Sequence, residues 1–133
     1  MSAYVLSRVL SATRERFDAL VAACADPSSG RHALAELNSF LSGLTAADFR
    51  DAVALAPTAP LTPFISNYVA AMVEYGCSRL ATPIPSWTME VPALTEPVFA
   101  TTLQSLRLHL LTHSPAPFRR RNIFIDATLG ARV

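Results

Sequence analysis

Thr62-Pro-Phe-Ile-Ser-Asn-Tyr-Val-Ala-Ala-Met-Val-Glu-Tyr-Gly-Cys-Ser-Arg-Leu80 is the stretch on which the fold turns. Thr62 and Pro63 read as an N-cap and a first helical residue: the hydroxyl accepts from a free backbone N–H, and proline lacks only a donor that the first turn leaves unpaired anyway. Behind them Phe64, Ile65, Tyr68, Val69, Met72, Val73 and Leu80 form one broad apolar face of a helix running from Phe64 to about Leu80. This is a core helix, and the fold follows from what packs around it.

Upstream, Val5, Leu6, Val9, Leu10, Phe17, Leu20, Val21 and Cys24 recur mostly at steps of three and four, predicting a helix over 3–24 that Ser2 can cap. The turn formers of Asp26-Pro-Ser-Ser-Gly30 stop it. A second helix is expected from Arg31 to Ser42 on the stripe Ala33, Leu34, Leu37, Phe40, Leu41 and Leu44, with Gly43 as its C-terminal stop. Thr45 and Asp48 then resemble a shortened capping box and open a third helix, Ala46 to Ala56. Pro57, Pro60 and Pro63 make the following link extended.

Downstream, residues 82–97 read as a proline-rich loop holding Pro83, Pro85, Pro92, Pro97 and the sole tryptophan, Trp87. Loops of this length are uncommon in compact domains and are often functional. A fifth helix is expected from Val98 to Thr112 with Phe99, Leu103, Leu106 and Leu110 inward. Ser114-Pro-Ala-Pro-Phe118 breaks it, and Arg119-Arg120-Arg121 follows at once. Asn122-Ile-Phe-Ile-Asp126 is compatible with a strand but has no second strand to join within the chain. It is expected to lie across the helices as a strap or to add to an edge on another chain. The fold class is therefore all-α: a compact bundle of about five helices, residues 1–113, followed by an extended arginine-rich segment, 114–133, packed on that domain or on a partner.

Composition narrows function mainly by exclusion. The 133 residues, 51% of them hydrophobic, can build a core without disulfides or metals. No apolar run approaches the roughly 20 residues that span a bilayer, and the N-terminus lacks the pattern of a signal peptide, so the chain is read as cytoplasmic with no membrane partner. The net charge of +1 gives no global field for nucleic acid. All eleven basic residues are arginine, the planar fork suited to carboxylates and phosphates.

No constellation reads as catalytic or metal-binding, so the chain is not expected to be an enzyme and no cofactor is expected. His109 and His113 stand four apart on the expected fifth helix, but no third ligand joins them. His32 is alone. Cys24 and Cys77 each fall within or at the end of an apolar helical pattern and read as inert packing. Asp48 and Asp51 serve the dipole of a helix N-terminus better than acid–base chemistry. Four glycines in the whole chain leave no phosphate-cradling loop. The span 35–56 has the outline of a helix-turn-helix, yet Asp48 and Asp51 would meet DNA phosphate with like charge and only Arg50 would help.

What remains is the C-terminal segment. Arg119, Arg120 and Arg121 read either as a solvated turn or as a group docking on carboxylates or phosphates. Phe118 and Phe124 would flank them as aromatic anchors. In an extended segment Ile123 and Ile125 point opposite to Phe124, so one side can pack on the body while the other meets a partner. The candidate partner-binding residues are Phe118, Arg119, Arg120, Arg121, Ile123, Phe124 and Trp87.

The stretch Ser105-Leu-Arg-Leu-His-Leu-Leu-Thr-His-Ser-Pro-Ala-Pro-Phe-Arg-Arg-Arg-Asn-Ile-Phe-Ile125, with upstream Trp87 and Glu96-Pro97, resembles the C-terminal part of small bacterial proteins encoded beside nucleotidyltransferase-like toxins and presumed to be their antitoxins. The resemblance covers under half of the chain, and its most specific part is Ser-Pro-x-x-Phe-Arg-Arg-Arg-Asn-Ile-Phe. It implies an antitoxin-like module that neutralises a nucleotidyltransferase-type toxin by direct contact, with no catalytic residues to carry over. The alternative is a nucleic-acid-binding transcriptional regulator using the arginine cluster or the helix-turn-helix outline. A cognate protein is the expected partner, and a second copy of the chain is the other one considered.

Overall fold

The structure, a computed structural model, describes residues 3–26, 28, 30–99 and 114–125. Its first helix, α1 (Ala3–Cys24), is followed by α2 (Gly30–Ser42) and α3 (Ala46–Val53). The Thr45 side chain accepts from the Asp48 N–H and caps α3 as the sequence predicts. Helix α3 stops at Val53, short of the expected Ala56. The reason lies in α1: Arg14 donates to the backbone oxygens of Ala52, Leu55 and Ala56, so carbonyls left over at the end of α3 are satisfied by a guanidinium. Gly43 ends α2 without a left-handed turn, since no described glycine has positive φ; its N–H bonds back to Ser39 and Phe40.

Helix α4 (Pro63–Leu80) is the centre of the molecule. Thr62 caps it through the Ile65 N–H and Pro63 occupies its first turn. Ten of its residues, Asn67 to Glu74 together with Gly76 and Cys77, are buried. A helix covered nearly all round must be packed on several sides, which the single apolar face read from the sequence did not show. On one side α1 packs against α2 and α3, and the Phe49 ring of α3 lies against α4 at Gly76. A Cβ there would come within 2.5 Å of the ring. Phe17, Leu37, Phe49, Val69 and Val73 are fully buried in the resulting core.

The other side of α4 is covered by segments that the sequence left irregular. Within the expected 82–97 loop, Ser86–Met89 forms a short helix, α5, whose Trp87 and Thr88 are buried. Trp87 Nε1 donates to the Val53 carbonyl at 2.7 Å, which ties the loop to the end of α3. Val98–Phe99 is a strand, β1, not the start of the expected fifth helix; the rest of that helix, with His109 and His113, lies outside the described residues. The C-terminal segment is not wholly extended either. Ala116–Arg119 makes a helical turn, α6, with Pro115 at its N-cap and Pro117 in its first turn, and Ile123–Phe124 forms β2.

Strand β2 has a partner within the chain after all. It pairs in parallel with β1, Val98 opposite Ile123 and Phe99 opposite Phe124. The two phenylalanine rings stack at 4.9 Å, and Val98 N–H donates to the Asn122 carbonyl at 2.8 Å. Two residues are too few to display the alternation by which a strand is read, so the partner was invisible in the sequence. The described residues are predominantly helical, with this one two-stranded ribbon.

Candidate functional site

The run Arg119-Arg120-Arg121 is divided by the turn that carries it. Helical bonds from Phe118 and Arg119 N–H to Pro115 O, and from Arg120 N–H to Ala116 O, continue as Arg121 N–H to Phe118 O and Asn122 N–H to Arg119 O, all at 3.0–3.1 Å. Residues three apart on such a turn share a face, so Phe118 and Arg121 point inward together while Arg119 and Arg120 point out. Asn122 then reverses the chain at φ 65°, a conformation that asparagine tolerates better than most residues. Its side-chain amide donates to the Leu94 carbonyl and fixes the reversal.

Arg121 is 6% exposed and all of its guanidinium N–H groups are used. Nε donates to Glu74 Oε1 and Nη2 to Oε2, both at 3.2 Å, a forked pair. Nη2 also donates to Thr88 O at 2.6 Å, and Nη1 to Asn67 Oδ1 at 2.9 Å and Val91 O at 3.1 Å. Asn67 completes the network through Nδ2, which donates to Pro63 O and Pro92 O at 2.9 Å each. Charge and hydrogen-bonding capacity are both satisfied, as a buried ion pair requires. This cluster latches α4, α5, the 90–94 strand of loop and the C-terminal segment together, and it leaves Arg121 no donor for a partner.

The other candidate residues divide in the same way. Phe118, Ile123, Phe124 and Trp87 are buried at 0, 1, 8 and 8% exposure. Phe118 meets the Tyr68 ring edge-on at 5.2 Å. Ile123, Phe124 and Ile125 are all buried, so the segment has no outward apolar side of the kind that strict alternation suggested. Ser114 Oγ donates to the Ile125 carbonyl at 2.8 Å and closes the segment into a clasp. Only Arg119 and Arg120 stand exposed, and neither guanidinium has a partner among the described residues. The signal that separates them from Arg121 was present in the sequence: Pro115 and Pro117 fit a helical first turn, which makes Phe118 and Arg121 face-mates.

Two hollows have Val91 in their lining, and the second of them adjoins this clasp. The first, about 220 Å³, is lined by Leu61, Val69, Trp87 and Val91 together with the polar Ser66 and Glu90. The second, about 180 Å³, is bounded by Glu74, Val91, Ala93, Arg120 and Arg121. A shallower and wider hollow lies between α1 and α2, beside Arg16 and the exposed His32–Glu36 pair, whose atoms approach to 2.8 Å.

Burial pushes the Cys24 thiol up to about 11 and raises that of Cys77, where the Glu74 charge adds to the effect. Both are protonated at neutral pH and offer no thiolate. Among the described residues no three or more His, Cys, Asp or Glu side chains converge as metal ligands. No described helix is long and apolar enough to cross a membrane. No family model matches the chain, and no match is found among curated proteins or solved structures.

Proposed function

We propose that the chain is a protein-binding module of the antitoxin-like kind, acting in the cytoplasm by direct contact with a nucleotidyltransferase-type toxin. One observation carries the reading. Of three adjacent arginines, the third is consumed in a buried latch while the first two project, without a partner among the described residues, from a turn that this latch anchors. Ordering long arginine side chains on binding is costly, and a backbone already fixed lowers the remaining cost. The sequence resemblance supplies the toxin class.

The test is copurification with the product of the neighbouring gene. Arg119→Glu/Arg120→Glu should reduce capture at least tenfold, about 1.4 kcal/mol, with the melting curve unchanged. Equal capture by the variant overturns the reading. Binding to DNA or RNA that weakens steeply with salt would instead favour the nucleic-acid regulator.

A further inference from the structure

We propose that Val91 is the ridge of a two-part docking surface for an acidic, apolar segment of a partner protein, which places an apolar side chain against Trp87 and a carboxylate on Arg120. The proposal rests on the protein-binding reading above and adds the partner's chemistry. Val91 lines both hollows, so they are neighbours across one side chain. Leu61, Val69, Trp87 and the Ala56–Pro57 wall form the apolar part of the first, and Ser66 and Glu90 its polar part. The indole N–H is already given to Val53, so Trp87, 8% exposed, presents a strip of ring and no donor, and the polar groups of the hollow are those of Ser66 and Glu90.

The second hollow differs in charge. Glu74 and Arg121 cancel, and the Arg121 donors are spent, so the positive charge open to a ligand is that of Arg120. A guanidinium with free donors takes a carboxylate in a forked, charge-assisted pair. Glu90 gives the surface its direction: an exposed carboxylate beside the apolar hollow repels a second one there and leaves the Arg120 side as the place for a partner's acid. A nucleic-acid strand fits less well. It would meet Glu90 with like charge, and its phosphates would gain nothing from the apolar hollow.

Trp87, the sole tryptophan, reports on the site directly. The full chain is titrated with an acetylated hexapeptide of alternating leucine and glutamate, with its leucine–lysine counterpart, and with an oligothymidylate, following Trp87 fluorescence. Saturable binding of the glutamate peptide alone, weakened about tenfold by Arg120→Gln, is the expected result. Arg120 is exposed, so this variant keeps the fold. Equal binding of both peptides, an unchanged affinity in Arg120→Gln, or no saturation below about 1 mM overturns the proposal. So does displacement of the glutamate peptide by the oligothymidylate. No cognate toxin enters this experiment, so its failure leaves the copurification result standing, and failure of capture with peptide discrimination intact would refute the toxin class alone.

Discussion

Ala81 and Asn122 are the non-glycine residues with positive φ among those described, at 54° and 65°, and they respond to glycine in opposite ways. Ala81 ends α4 in the left-handed region with its N–H bonded to Cys77 and Ser78 carbonyls. An L side chain there costs about 1–2 kcal/mol, against about 0.5–1 kcal/mol of extra chain entropy lost by glycine on folding. Ala81→Gly should therefore stabilise the protein by about 0.5–1 kcal/mol in urea unfolding. Asn122→Gly relieves less strain and loses the bond to Leu94, so it should destabilise by about 1 kcal/mol. Gly76→Ala drives a methyl into the fully buried Phe49 ring and should cost about 1–3 kcal/mol. Arg121→Ala strands Glu74 in the interior and should cost about 3–5 kcal/mol, whereas Arg119→Ala should change stability by less than about 0.5 kcal/mol.

Among the elements, α3 depends most on its neighbours. Eight residues are too few to hold a helix in water, so it persists because Thr45 caps one end, Arg14 the other, and Phe49, Ala52 and Val53 are buried. Arg14 is itself aimed by Asp18, at 3.0 Å, and lies over the Phe17 ring, with 5.5 Å from its central carbon to the ring centroid. Arg14→Ala should cost about 1–2 kcal/mol in urea unfolding, and Arg14→Lys should restore only part of it, because an ammonium cannot fork to several carbonyls. The clasp 114–125 is the other dependent element. It brings Phe118, Ile123 and Ile125 into the same core cluster as Phe17 and Leu37. A chain ending at Ser114 should lose cooperative unfolding, so truncation reports on stability before binding; charge reversal at Arg119 and Arg120 separates the two.

Alkaline pH acts on the whole molecule. Burial raises the Cys24 thiol from 9.0 to about 11 and the Tyr68 phenol from 10.0 to about 12. Both are neutral acids in the fold and ionise more easily once unfolded. Their contribution to stability is complete below pH 9 and is lost as pH rises, for Cys24 between 9.0 and about 11 and for Tyr68 between 10.0 and about 12. The urea midpoint should fall through this window, and Tyr68→Phe should flatten its upper part; a midpoint flat to pH 12 would contradict the burial of both groups.

Helices α1, α2 and α4, with the Thr45 and Thr62 caps, were legible from the sequence alone, because periodicity and capping involve residues within a few positions of each other. Pro115 and Pro117 make Phe118 and Arg121 face-mates in the sequence, but that this face is the one that packs was not legible there. The partners of Arg121 lie 47, 54, 30 and 33 residues away, and only packing brings Glu74, Asn67, Val91 and Thr88 to one point. The two-residue strands and the burial of α4 on several sides were hidden for the same reason: each is a pairing of distant segments, and neither leaves a local pattern. By itself the sequence determined a helical body with an arginine-rich end. The tertiary structure decided that residues 114–125 belong to the core and that, of the three adjacent arginines, Arg119 and Arg120 are left exposed.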